Sequence, residues 1–383
     1  MHTMWLLLTT SMLYGCSPVD AKSETEDLSD EDADETPDTD SGSPPDVTDQ
    51  CVTPTASDHL YPPYPEPPDE CIEDFWDCPF EDDYALENPN TVCNITEGFD
   101  SDGAIQEQFW EAYNYSRDYF GAYGPVYVYF MGPTSEESNE DIWHLRAERR
   151  AVVDACYPVE RQVDDFFDNP YGSEELDAAN SGNGGYFSIS GNSGCNPLMD
   201  LMMINPRLDE VRTITMHEYH HIFQVAHLRT HDRDSDYGLN SWIMEGQATY
   251  SAARFGDETG WGYNFVDIMM GMKGYGGNVS PEGIDAFLEA NDGFDLADES
   301  YWDRGDFSAA AVYYQLGAWA WAYLVHELDG EVDIALKDFI HDVPSMGREA
   351  SFHLHFDRTM DEFFVEFATF TEGSDEEWRA ILE

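Results

Sequence analysis

Lysine is nearly missing from this chain: three residues of 383, Lys22, Lys273 and Lys337, stand beside 14 arginines and 79 acids, for a formal net charge of −62. A surface so poor in cations has little with which to neutralise phosphates, so nucleic acid is excluded as a partner. Only 13 of the acids fall in residues 20–50, which leaves the rest of the chain strongly acidic as well. A folded domain with that excess repels itself unless counterions screen it, and this points to a salty habitat. Also missing is any stretch beyond the N-terminus that is long and apolar enough to span a bilayer. No Gly-x-Ser-x-Gly and no Cys-x-x-Cys occurs. Serine nucleophile elbows and cysteine zinc sites therefore have no footing.

The leader carries an apolar run, Trp5 to Leu8, followed by Leu13-Tyr14-Gly15-Cys16. It resembles a bacterial lipoprotein signal, which implies cleavage of residues 1–15 and a lipid on the Cys16 sulfur. The run is too short to cross a membrane itself. Membrane attachment is thus expected only through that lipid, at the outer membrane or cell surface, with plain secretion as the alternative. Residues 16–50 are mostly Asp, Glu, Ser, Thr, Pro and Gly with no aromatic side chain, and are expected to form a solvated, self-repelling tether. Setting Cys16 aside leaves Cys51, Cys71, Cys78, Cys93, Cys156 and Cys195, an even set that suits three disulfides in an exported protein. Their spacing suggests that the first four clip a Cys- and Pro-rich segment, residues 51–93, while Cys156 and Cys195 join parts of the domain that follows, residues 94–383.

That domain is long enough for one large core or two lobes. Its first half mixes periods: helices over 104–120 and 140–155, and strands over 125–130, 184–190 and 199–204. From 208 onward helices take over, at 208–228, 241–255, 261–272, 308–328, 332–342, 347–356 and 360–370. The fold class is α+β, with the sheet before the helices.

His217-Glu218-Tyr219-His220-His221 lies in the first of the late helices. His-Glu-x-x-His on a helix puts two imidazoles one turn apart on the same side, able to hold a metal, with a carboxylate next to them. Val211, Ile214, Ile222 and Val225 share one arc of that helix, which predicts that the two histidines stand at the edge of the core, where a cleft can open. In the next helix Glu245 is the lone acid of Trp242-Ile243-Met244-Glu245-Gly246-Gln247-Ala248-Thr249-Tyr250. Buried, it would be costly without a positive partner, and a divalent cation shared with the histidines provides one. Small residues around it leave room for close helix packing. Two imidazoles and one carboxylate leave a fourth position open, as catalytic Zn2+ requires, with Glu218 as general base. The bland readings are a surface or supporting role for His220, solvated His227 and His231, packing for Thr249 and Tyr250, no link to the metal for His353 and His355, and a solvated loop for Asp232-Arg233-Asp234-Ser235-Asp236.

His-Glu-x-x-His followed by a glutamate on a second helix resembles the gluzincin metallopeptidases, the thermolysin-like group, and Trp-x-x-Glu-Gly-x-Ala is most similar to their aminopeptidase-related branch. The resemblance spans about 94–370 and implies a sheet-and-helix lobe, a mainly helical lobe and a zinc cleft between them. It implies His217, His221 and Glu245 as zinc ligands, Glu218 as the catalytic base, and a peptide or protein substrate. Tyr314-Gln315-Leu316-Gly317 is similar to the branch's Tyr-x-x-Gly, which implies Tyr314 as the oxyanion donor, with its neighbour Tyr313 as the alternative. The branch's Gly-x-Met-x-Asn strand is absent upstream of His217, and 184–190 is the candidate edge strand for an extended peptide. A surface lipoprotein that uses the same fold for binding or attachment is the alternative function.

Overall fold

A computed structural model describes residues 51–53, 91–153, 170–182, 186–190, 199–228, 233, 235–274, 283–291, 294–299 and 307–383. The leader, the tether, four of the six remaining cysteines and His231 lie outside the described residues. The fold is mixed α/β and mostly helical, with one small sheet built from Cys51–Val52 (β1), Thr91–Ile95 (β2), Val126–Met131 (β3), Tyr186–Ser190 (β4) and Met199–Ile204 (β5). The strands lie in the order β1-β2-β3-β5-β4, all parallel except β4, which runs antiparallel to β5. Strand β2 crosses position 94, where the globular domain was expected to begin, and the Cys51–Cys93 disulfide ties β1 to it.

Alternation along β3 and β5 decides which helices cover which face. Val126, Val128, Phe130, Met199, Leu201 and Met203 join the large core shared with helices Ala104–Phe120 and Val211–Ala226. Tyr129, Met131, Met202 and Ile204 turn to the opposite face, under helices Glu136–Val153 and Pro170–Ser181. On that side Asp200 interrupts the apolar strand but is paired with Arg146, Nε to Oδ2 3.1 Å, both fully buried. A buried charge is tolerated when so paired.

Helix Val211–Ala226 is buried at every position except Arg212. This corrects the expected placement of the histidines at the edge of the core. The helix is surrounded: Tyr113 of Ala104–Phe120 meets Tyr219 edge-on at 5.0 Å, helix Ser241–Glu258 packs against it, and Tyr314 of Phe307–Glu327 stacks beside His217. The late helices add an aromatic mass in which Trp242 stacks on Trp321 at 5.5 Å and on Phe363 at 5.7 Å, bracing the first turn of Ser241–Glu258. Two of them start with capping boxes legible in sequence, Thr359 with Glu362 and Ser374 with Glu377. The acidic loop is not simply solvated, because Asp236 accepts from Glu349 N at 2.9 Å and the Arg348 guanidinium holds Arg233 O and Gly238 O, each at 3.1 Å.

Helices Ser241–Glu258 and Phe307–Glu327 cross at a glycine on each. A Cβ on Gly246 would stand 2.5 Å from the Gly317 carbonyl carbon, and one on Gly317 2.8 Å from Trp242 O. Backbone cannot yield as a side-chain tip can, so the overpacking cost of about 1–3 kcal/mol or more exceeds the roughly 1 kcal/mol gained in helix propensity. Gly317→Ala is therefore expected to lower the unfolding midpoint. Gly271→Ala in helix Phe265–Gly274, where a Cβ meets nothing within 4 Å, is expected to raise it. Denaturant unfolding of the pair checks both, and a Gly317→Ala protein as stable as wild type would remove the close crossing.

Candidate metal centre

Two helices deliver the three groups that the sequence singles out. One turn of Val211–Ala226 sets the His217 and His221 rings edge-to-face with centroids 4.7 Å apart, and Ser241–Glu258 brings Glu245 against both. His217 Nε2 and His221 Nε2 are 3.1 Å apart, and Glu245 Oε2 lies 3.4 Å from the first and 3.2 Å from the second. All three residues are buried, and among the described residues they form a group that can hold a metal ion. The fit is quantitative: a tetrahedral ion with ligand bonds of about 2.0–2.1 Å spaces its ligand atoms roughly 3.3 Å apart.

Electrostatics agree with a cation at that point. Burial opposes charge on Glu245, yet the attraction of His221 and hydrogen bonds from both imidazoles win and hold its carboxyl below the usual range. Burial likewise opposes charge on His221, but Glu245 outweighs it and raises the ring to about 9, whereas burial dominates at His217 and lowers it to about 4. Without a metal each ring can donate an N–H to Glu245, whereas a divalent ion would take a lone pair from all three groups.

Glu218 is buried, 5% exposed, within the fields of His221 and Glu245. Burial pushes it up to about 7. Tyr314 and Tyr313, which the sequence alone does not separate, part ways: the Tyr314 ring lies parallel to His217, centroids 5.8 Å apart, while the Tyr313 hydroxyl donates to Asp298 O. The Gly246–Gly317 crossing brings Tyr314 there, one turn before Gly317, as it brings Glu245, one residue before Gly246.

Neighbouring groups sort into those that touch the ligands and those that do not. Thr249 Oγ1 lies 3.4 Å from His217 Nδ1, so it does more than pack. His220 is fully buried, its Nδ1 2.8 Å from Ser251 Oγ, so a surface role is excluded. His227 is not solvated: it is buried against Phe223 and His341, with Nδ1 2.7 Å from Phe223 O. His355 pairs with Asp342 at 2.8 Å. Sequence reasoning missed Gln224, whose Oε1 is 2.8 Å from His221 Nδ1, and Gln247, 3.0 Å from Gln224. Their signal is compositional: both are uncharged polar side chains in otherwise tightly packed helix, within three residues of a ligand. In comparisons of the chain with protein-family models, curated proteins and solved structures, nothing matches.

Proposed function

We propose that this chain is an exported zinc metallopeptidase of gluzincin type, held to the cell envelope by lipid on Cys16, that hydrolyses peptide bonds in extracellular proteins. The observation that carries the reading is the convergence of His217, His221 and Glu245 on one point with Glu218 buried beside them. Zn2+ bound there supplies a Lewis acid that polarises a carbonyl and acidifies water. The chain's own residues do the rest. Glu218, pushed up by burial to about 7, is poised near neutrality to take a proton from the attacking water and return it to the leaving amine. Beside His217, the Tyr314 hydroxyl donates to the oxygen on which negative charge develops. Strand β4, last in the described sheet, runs past the motif helix and suits backbone pairing with an extended peptide. The two thermolysin-like lobes and the cleft between them belong to the same proposal.

The test is hydrolysis of a mixed protein substrate with and without a chelator. Activity is expected to vanish with the chelator and return with added zinc, and chelator-resistant activity refutes the reading. Within it, Tyr314→Phe is expected to lower kcat by roughly a hundredfold, the usual cost of losing one oxyanion donor. KM should change little. Tyr313→Phe, which removes the tie to Asp298 O, is expected to leave kcat within about threefold, because no group that acts in the transition state is lost. The reverse ranking would move the role to Tyr313.

A further inference from the structure

Two amide side chains stand behind the His221 ring, and a backbone carbonyl fixes the orientation of each. Gln247 Nε2 donates to Ala335 O at 2.7 Å, which turns its Oε1 toward Gln224 Nε2, 3.0 Å away. Gln224 Nε2 also donates to Met244 O at 3.1 Å. A carbonyl oxygen can only accept, so neither amide can be reversed without setting oxygen against oxygen. Gln224 Oε1 is thereby left facing His221 Nδ1 at 2.8 Å, and as an acceptor it requires the proton to be on Nδ1. Nε2 is then the nitrogen that offers its lone pair to the point where Glu245 and His217 converge.

The line of bonds does not end in the helices that carry the ligands. Ala335 belongs to the π-helical turn Ile334–Asp338, where it is fully buried. Single π turns are rare and recur at functional sites. We propose that Gln224 and Gln247 are positioning residues: a relay from Ala335 O through both amides that locks the His221 tautomer and ring angle required for metal binding. The proposal rests on the metal-centre reading above. Its distinctive content is that Gln247, one residue removed from the ligand, controls metal affinity through Gln224.

Zinc dissociation constants of the full chain, measured by chelator competition, test it. An outer hydrogen-bond partner of a ligating histidine is typically worth 10–100-fold in metal affinity, so Gln224→Leu is expected to weaken binding by about that factor and Gln247→Leu by at least about threefold. Gln224→Glu keeps the volume and an acceptor opposite Nδ1–H but turns a second oxygen toward Met244 O and Gln247 Oε1, and is expected to recover only part of the loss. Thr215→Val, which removes only a hydroxyl bonded to Val211 O at 2.7 Å in the same helix, is expected to bind as wild type. In Co2+-loaded protein the visible absorption should shift in both Leu variants and not in Thr215→Val, a signature that general destabilisation would not give. Wild-type affinity in Gln247→Leu overturns the relay and leaves the metal centre standing. A wild-type chain that binds no zinc overturns the metal centre and the relay with it. Should a Leu variant not fold, Gln224→Met or Gln247→Met at the same position, which keeps the side-chain length without the amide, takes its place: a loss of the same size supports the relay, and wild-type affinity overturns it.

Discussion

Glu218→Gln is expected to retain stoichiometric zinc and lose at least about a hundredfold in the rate of peptide hydrolysis, which corresponds to roughly 2.7 kcal/mol in barrier height. Both halves follow from position. The carboxyl is absent from the set of converging ligand atoms, so its loss does not open the metal centre. Burial pushes it up to about 7, so near neutrality the folded protein already holds it partly uncharged. An isosteric amide therefore adds no buried charge and the fold should tolerate it. What the amide cannot do is accept a proton and pass it on. Metal analysis and single-turnover kinetics on the same sample check the two halves together. Activity equal to wild type would remove Glu218 from the mechanism, and loss of zinc together with activity would make it a ligand instead.

Periodicity and motif spacing carry much of this molecule. The helix at Ala104–Phe120 and the strand at Met199–Ile204 fall where the residue pattern predicts them, His217 and His221 face one side as their spacing requires, and Glu245, singled out as the lone acid of its segment, meets them. Other features escape for physical reasons. Strand Thr91–Ile95 is five residues with Thr and Asn among them, too short for alternation to stand out, and its partner Cys51–Val52 is shorter still. The apolar arc of Val211–Ala226 is real, but tertiary contacts bury the other faces too, including Thr213, Thr215 and Gln224, which no hydrophobic pattern marks as inside. His227 reads as solvated because histidine is ambivalent about burial, and only the neighbouring Phe223 and His341 rings decide it. Tyr313 and Tyr314 are separable only by which way a helix is turned. A buried helix with apolar residues on all sides leaves that rotation unmarked in its sequence.

Glu245→Gln is expected to weaken zinc binding by more than about a hundredfold, beyond what the loss of an outer hydrogen-bond partner costs, because a ligand and its charge go together. The carboxylate is 6% exposed and touches both imidazoles, and the acid beside it, Glu218, lies outside the converging ligand set among the described residues. Activity should fall at limiting zinc and recover in part when zinc is raised, since binding is what has been lost. Glu218→Gln should show no such recovery, and this contrast separates a ligand from a base without further structural work. A second signature lies in the zinc-free protein. There Glu245 outweighs burial to raise His221 to about 9, above its ordinary 6.5. A folded-state value raised in this way contributes stability that is fully present below the ordinary value and is lost as pH rises through about 9. Zinc-free Glu245→Gln should accordingly be much less stable than zinc-free wild type near about pH 6, with the difference closing by about pH 10. Wild-type zinc affinity in Glu245→Gln, or a stability gap independent of pH, would take Glu245 out of the metal centre and leave two histidines too few to hold a catalytic ion.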